Sequence, residues 1–499
     1  MTKGVGKRTL SGISWTLFGS VVANATRFAV IPILVRLLTP ADFGLVAVAL
    51  TVVAFAIRFA QLGLGAALIQ RKEITDEHIA TTFAWMLALG IGFTVALFAG
   101  APLVAAIFDM PQSENLVRAL SALFFIRSLS STSRFLLQRD LHFKALASMN
   151  VAAYIIGSVT SVTLAYAGFG PWSLAIGYLV EAIVESALLL IARPPVVRPA
   201  FHRQAFNDLF GFGGGQTIAS IANYFAQQGD YIVVGRYLGD VMLGIYSRAY
   251  ELMRFPALVF HSVAGTVLFS SFSRIQDDPE RLESSFRRVL FANAIVLMPA
   301  SAGLIVLAPE AIAILFGKQW TSVVIPFQIM AVSLLFRTSY KASGLVARSA
   351  GEIMRVAAGE VIYAGMVFFG ALFAKRWGII GVSVTTGLAI ILQFFIVTSM
   401  AIRRIPSGWS CVMRAHIDGL MMAASVVATA LPVAFVLRGI GAHIVVVAVV
   451  GTIAGSIGPV VFAWARLRRG DEDWVFVRDR IVQVLTRKKK KASVPAEPI

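Results

Sequence analysis

The sequence predicts an all-α, polytopic membrane protein of about fourteen transmembrane helices, and three observations carry that expectation. Of its 499 residues, 58% are hydrophobic and only 14% charged, and the mean hydropathy of +0.79 lies outside the range of soluble globular chains. Apolar stretches of about 20 residues, the length a helix needs to cross a hydrocarbon core of about 30 Å, recur almost to the C-terminus. The connections between them alternate between basic and nearly uncharged.

The stretch from Phe43 to Leu64, with Val46, Val48, Val52, Val53, Phe55 and Ile57, shows the pattern that repeats. Length and apolar continuity place six helices at 11–34, 43–64, 80–107, 116–136, 146–167 and 171–192. A further six fall at 210–234, 244–272, 288–314, 323–347, 356–374 and 378–402, and two more at 417–437 and 443–465. The first apolar segment runs past the length of a signal-peptide core and lacks a cleavage site, so no cleavable signal is expected. Abundant Gly (41) and Phe (36) suit helices that pack closely and face lipid.

Charge gives the orientation. Of the 44 Lys and Arg, 30 fall in one set of connections, among them Lys3, Arg71, Arg134, Arg139, Arg193, Arg274, Arg348 and Arg403. The alternate set holds six: Arg36, Arg236, Lys318, Lys375, Arg376 and Arg438. The positive-inside rule puts both termini in the cytoplasm of a multi-pass protein of the bacterial inner (plasma) membrane, with an even number of spans. The formal charge of +18 is therefore a topology signal, and no nucleic-acid partner is expected. The run Arg487-Lys488-Lys489-Lys490-Lys491 suits an anionic membrane lipid surface. Residues 472–486, where Trp474, Phe476, Val477 and Ile481 interleave with charges, have the pattern of a helix lying on that surface.

The lone Cys411 and six scattered His provide no metal-ligand spacing. Gly211-Phe212-Gly213-Gly214-Gly215-Gln216 lacks the lysine of a phosphate-binding loop and reads as a packing or kink site. No cofactor, metal or ATP is expected. The outer connections are short and poor in acids and His, so an enzyme such as a polymerase or ligase is not expected either.

An internal echo divides the chain. Arg36-Leu37-Leu38-Thr39-Pro40-Ala41-Asp42-Phe43-Gly44 and Arg236-Tyr237-Leu238-Gly239-Asp240-Val241-Met242-Leu243-Gly244 lie 200 residues apart, and Arg, Leu and Gly coincide in register. Both fall on the outer turn between the first and second helices of a six-helix block. Six intervening helices give the blocks the same topology, a parallel repeat, which is a transporter plan. The expected organisation is an N-lobe over 1–192 and a cytoplasmic linker over 193–209, with the Pro-rich Arg193–Pro199 at its start. A C-lobe over 210–402, spans 13 and 14 over 403–466, and a basic cytoplasmic tail over 467–499 follow.

These residues resemble the multidrug/oligosaccharidyl-lipid/polysaccharide exporter superfamily. Within it, the chain is most similar to the polysaccharide transporter branch of Wzx-type flippases, the colanic-acid type. The likeness rests on Leu37–Leu45, Leu62–Arg71, Gln138–Leu146, Asp230–Gly239 and Gly244–Tyr250, and covers both expected lobes. It implies a twelve-helix core of two bundles and translocation of polyprenyl diphosphate-linked oligosaccharide units to the outer leaflet for exopolysaccharide or lipopolysaccharide biosynthesis. A polysaccharide polymerase and a chain-length regulator are possible partners. A cation-coupled drug or metabolite antiporter of the same superfamily is the alternative, and it would favour an acidic cavity.

Eight cations remain within or at the ends of spans: Arg27, Arg58, Arg118, Arg127, Arg248, Arg254, Arg337 and Lys341. A cation at mid-span costs roughly 3 kcal/mol on insertion scales, so several together call for a wet cavity or counter-ions. Arg118, Arg248 and Lys341 lie near span ends and are expected to reach the interface. Arg27, Arg58, Arg127, Arg254 and Arg337 are candidates for the substrate diphosphate, because a guanidinium fork binds phosphate oxygens in pairs. Relatives that flip lipid-linked precursors carry Arg in spans 1, 2 and 8, the spans that hold Arg27, Arg58 and Arg254. Structural ion pairs are the competing use, and Glu251, three residues before Arg254, is an expected partner. Asp230 and Glu251 are candidates for ion coupling. Asn24, Tyr224, Phe225 and Tyr231 are expected to serve helix packing before sugar contact.

Overall fold

The computed structural model describes residues 25–26, 29–60, 64–71, 73–195 and 197–479. Among them the chain is helical and contains no strand. In order, the helices are α1 (Ala29–Leu37), α2 (Pro40–Ala60), α3 (Leu64–Gln70), α4 (Asp76–Phe108), α5 (Ser113–Arg139), α6 (Phe143–Tyr166), α7 (Pro171–Ala192) and α8 (Arg203–Arg274). They continue as α9 (Pro279–Val306), α10 (Ala308–Leu315), a 3₁₀ turn (Lys318–Val323), α11 (Val324–Val332), α12 (Leu334–Ser349), α13 (Ile353–Ala374), α14 (Gly378–Ala401), α15 (Trp409–Gly439) and α16 (Ile444–Arg469). A last helix, α17, covers 472–479. Among the described residues, eight helical stretches are long and apolar enough to cross a bilayer, or nine if the bent pair α1–α2 counts as one span. Among the described residues, helices coincide with every expected span from the second to the fourteenth.

The two echoed turns have different local chemistry. Between α1 and α2 the axis bends by 119°, and a capping box closes the bend. The Thr39 N–H and hydroxyl both donate to Asp42 Oδ2 at 2.8 Å, and the Asp42 N–H donates back to Thr39 Oγ1 at 3.3 Å. Pro40 occupies the first helical position, where its missing N–H costs nothing. Two hundred residues on, α8 breaks at Gly239, whose φ of 87° favours glycine. The expected loop between spans 7 and 8 is thus a single residue.

The chain forms two compact units. The first comprises Met1–Thr266, Leu315–Met330 and Met354–Gln393. In it α5 packs against α2, α3, α4, α6 and α7. It is tied to α7 by a serine pair: Ser130 Oγ donates to Ser186 Oγ at 2.9 Å, and Ser186 Oγ donates to the Ile126 carbonyl. Helices α6 and α7 meet at glycine: a Cβ on Gly177 would lie 1.8 Å from Ser161 Oγ, a close approach of the kind that joins helices in lipid.

The second unit comprises Val267–Ile314, Ala331–Ile353 and Phe394–Ile499. Here α15 packs on α9 and α16. Arg438 makes a two-point bond to buried Glu310, Nε to Oε1 at 2.8 Å and Nη2 to Oε2 at 2.7 Å, and also donates to the Val306 carbonyl. It closes the end of α9. The C-terminal helix departs from the expected membrane-lying segment. Trp474 is only 6% exposed, stacks edge-on against Phe291 and donates Nε1–H to Asp418 Oδ2 at 2.6 Å. Arg466 bonds the other oxygen of Asp418 at 2.6 Å, and Arg287 pairs with Asp473. A buried carboxylate needing donors holds α17 on the protein; residues 480–486 lie outside the described set.

Candidate functional site

Within the first unit a cavity of about 490 Å³ opens among α2, α5, α6, α7 and both arms of α8. Its walls are mostly aliphatic, with Val46, Leu50, Val53 and Leu123 contributed by α2 and α5. Into this apolar setting project Arg127 on α5, Arg248, Glu251 and Arg254 on α8, and Glu181 on α7. Tyr154, Tyr178, Tyr231 and Gln228 add hydrogen-bonding groups.

Three cations on the walls of one membrane-embedded cavity are the unusual feature. The Arg248 side chain is 17% exposed. Its guanidinium lies 4.6 Å from the centre of the Phe43 ring, and Phe43 in turn meets Trp320 edge-on. Its Nη1 lies 2.6 Å from Glu251 Oε2. The expected pairing of Glu251 with Arg254 is therefore replaced by a pairing one turn in the other direction. Arg254 instead lies 5.6 Å from the Tyr250 ring. Among the described residues no carboxylate comes within ion-pair distance of Arg127 or Arg254.

The site residues read from sequence divide accordingly. Arg127 and Arg254 come together in the cavity. Arg27 lies outside the described residues, and Arg58 sits on α2 with its side chain outside them. Arg337 does not line this cavity; it is 5% exposed on α12, in the second unit. Arg248, expected to reach the interface, lines the cavity, with Phe43 of the neighbouring α2 over its guanidinium. Glu181 is a wall residue that no spacing signal in the chain marks.

Asp230 lies apart from these groups. It is 1% exposed, receives the Tyr246 hydroxyl at 2.6 Å and the Tyr231 N–H at 2.9 Å. Tyr246 also bonds Thr386 Oγ1 at 2.9 Å, and Tyr231, Tyr246 and Tyr250 pack ring to ring. Tyr224 donates to the Thr51 carbonyl at 2.9 Å, so it serves the contact between α2 and α8. Among the described residues no group of three or more His, Cys, Asp or Glu is placed to hold a metal ion.

The lipopolysaccharide biosynthesis protein WzxC of Escherichia coli (strain K12) is 29% identical over 336 residues, covering 66% of this chain and 68% of that protein. The succinoglycan biosynthesis transport protein ExoT of Rhizobium meliloti (strain 1021) is 32% identical over 321 residues, 64% of this chain and 65% of that protein. Among solved structures, the lipid II flippase MurJ in an inward closed conformation shares the fold, with a TM-score of 0.71 at 14% identity over 95% of this chain and 99% of that one. The resemblance read from Leu37–Leu45 and the four other segments is thereby borne out. A family model described as "Polysaccharide biosynthesis protein" matches residues 33–325, more than half of the chain, and the chain belongs to that family.

Proposed function

We propose that this protein carries polyprenyl diphosphate-linked oligosaccharide units from the cytoplasmic to the outer leaflet of the bacterial inner membrane. The single observation that supports this most directly is the pair of guanidinium groups, Arg127 and Arg254, that face one apolar-walled cavity without a carboxylate partner among the described residues. A cation kept unpaired inside a membrane is costly, and a doubly charged diphosphate repays that cost through paired N–H···O bonds. The names of WzxC and ExoT, both polysaccharide biosynthesis proteins, and the shared MurJ fold point the same way. A cationic drug would be repelled by the same two groups.

The proposed cycle is alternating access between two lobes with both termini in the cytoplasm. The diphosphate enters the cavity drawn by Arg127 and Arg254, with Arg58 and Arg27 as further contacts, while the polyprenyl tail stays in lipid. A cytoplasm-negative potential favours outward movement of an anion by roughly 2.3 kcal/mol per charge per 100 mV. Asp230, held in its bonded pocket, is the proposed ion-coupling residue that resets the empty carrier; Glu251, the second candidate, is held by Arg248. The basic tail meets anionic lipid, and a polymerase and chain-length regulator receive the product.

The test is binding of a polyprenyl diphosphate sugar to the purified chain in nanodiscs, alongside export in cells. Arg127→Gln and Arg254→Gln are each expected to weaken binding about 10- to 100-fold, the range for losing a hydrogen bond to a charged group. Full export by both variants at normal membrane levels would remove the diphosphate role.

A further inference from the structure

The Arg248–Glu251 pair has a different character from the rest of the cavity. Arg127 and Arg254 stand open to a ligand, whereas Arg248 already has an anion: Glu251 Oε2 at 2.6 Å. The Phe43 ring fixes the guanidinium from one side, so it is the carboxylate that has freedom to move. Glu251 has that freedom, with 44% of its side chain exposed against 17% for Arg248, and both line the same space as Arg127 and Arg254. Glu181 also lines it, but its stem packs against α6, where a Cβ on Gly157 would sit 2.8 Å from Glu181 Cβ. Glu251 is the wall acid held directly on Arg248.

We propose that Glu251 is a release residue: an internal anion that competes with the bound diphosphate for Arg248. The inference rests on the diphosphate reading above and adds the step that reading lacks. A carrier with three unopposed guanidinium groups would hold a diphosphate too tightly to let it go, and transport needs binding weak enough to end. When the diphosphate arrives it takes Arg248 and displaces the Glu251 carboxylate into the cavity, where carboxylate and phosphate repel. When the ligand leaves, Glu251 returns to Arg248 and the guanidinium is never left bare. Arg248 is thus a third diphosphate contact, one available only by exchange.

The experiment compares the full chain and its Glu251→Gln variant for equilibrium binding of a polyprenyl diphosphate sugar in nanodiscs and for its translocation in proteoliposomes. Glu251→Gln is expected to tighten binding about tenfold, within the range of coupling between neighbouring charged groups, and to slow translocation at saturating substrate. A variant that is merely misfolded would lose binding, so the opposed changes mark the proposed role. The double variant Arg248→Gln/Glu251→Gln separates competition for Arg248 from a general field effect: the gain seen on Glu251→Gln is expected to vanish when Arg248 is absent. Glu251→Asp is expected to restore near-original affinity. Unchanged or weaker binding by Glu251→Gln, or an equal gain with and without Arg248, overturns the release role and leaves the diphosphate reading intact. Failure of the unaltered chain to bind the diphosphate sugar above a neutral polyprenol overturns both.

Discussion

Gly44 and Gly244 are packed reciprocally across the internal repeat. A Cβ on Gly44 would lie 1.9 Å from the Asp240 carbonyl oxygen, and a Cβ on Gly244 would lie 1.8 Å from the Pro40 carbonyl oxygen. Residues 40 and 44 therefore meet residues 244 and 240, each position touching the repeat equivalent of its own neighbour. The three-residue coincidence that marks these turns in the sequence thus includes a steric requirement: two helix starts, those of α2 and the second arm of α8, approach closer than any side chain permits.

The consequence is an inverted substitution rule. Ala normally stabilises a helix over Gly by about 1 kcal/mol, and Gly92→Ala on α4, where a Cβ meets nothing within 4 Å, is expected to leave the thermal midpoint unchanged or raise it. Gly44→Ala and Gly244→Ala are expected to lower it, since backbone must move to admit the methyl group; overpacking of this kind costs about 1–3 kcal/mol. Thermal unfolding of the three variants in detergent checks the order. Equal midpoints for all three would contradict the close crossing.

Sequence and structure agree best where caps and breakers bound a span. The expected helix at 171–192 matches Pro171–Ala192 to the residue, because Pro171 is suited to the first helical position and Gly170 precedes it with φ of 51°. The helix at 146–167 is displaced by no more than three residues from Phe143–Tyr166. Agreement fails at Gly239, where one residue does the work of an expected nine-residue loop. The cavity was half legible. A charged residue in an apolar run announces itself, so Arg127 and Arg254 stood out; which neighbour each faces depends on rotation about the helix axis and on helices distant in sequence. Phe43 covering Arg248 and Tyr246 bonding Asp230 belong to that second kind of information.

Charge alone and paired hydrogen bonding can be separated at Arg127. Lys keeps the charge but loses the planar fork that matches a diphosphate. Arg127→Lys is expected to retain part of the affinity lost in Arg127→Gln, with the deficit larger for a diphosphate than for a monophosphate ligand. Titration of both polyprenyl ligands in nanodiscs reads the difference. Equal affinity of Arg and Lys forms for the diphosphate would mean that only the field of the charge matters.

The Asp230 pocket makes a prediction about stability. Tyr246 has no exposed surface, and its hydroxyl links Asp230 to Thr386 on α14. Tyr246→Phe keeps the ring packing against Tyr231 and Tyr250 and removes that link alone. The cost expected is about 1–3 kcal/mol, the penalty of leaving a buried acceptor short of a donor. Thr386→Val, which removes the secondary partner while Asp230 keeps its tyrosine, is expected to cost less. Thermal midpoints that rank Thr386→Val below Tyr246→Phe would show that Asp230 does not depend on the hydroxyl.

Asp418 offers the sharpest test of the C-terminal helix. Its two oxygens are shared between Trp474 Nε1 and Arg466 Nη2, both at 2.6 Å. Arg466 has a second acid, Asp471, at 3.1 Å, whereas Trp474 Nε1 depends on Asp418 and would be left buried without an acceptor. Asp418→Ala is therefore expected to release α17 while leaving α15 and α16 packed, because their own contact is glycine against alanine at Gly455 and Ala430. Trp474→Phe keeps the aromatic contacts with Phe291 and Phe462 but not the bond, and should release it less. Trypsin reads the outcome at Arg478, which is exposed on α17: cleavage is expected to be fastest in Asp418→Ala, intermediate in Trp474→Phe and slowest in the unaltered chain. Equal rates in all three would mean that α17 is held by the Arg287–Asp473 pair and not by Asp418.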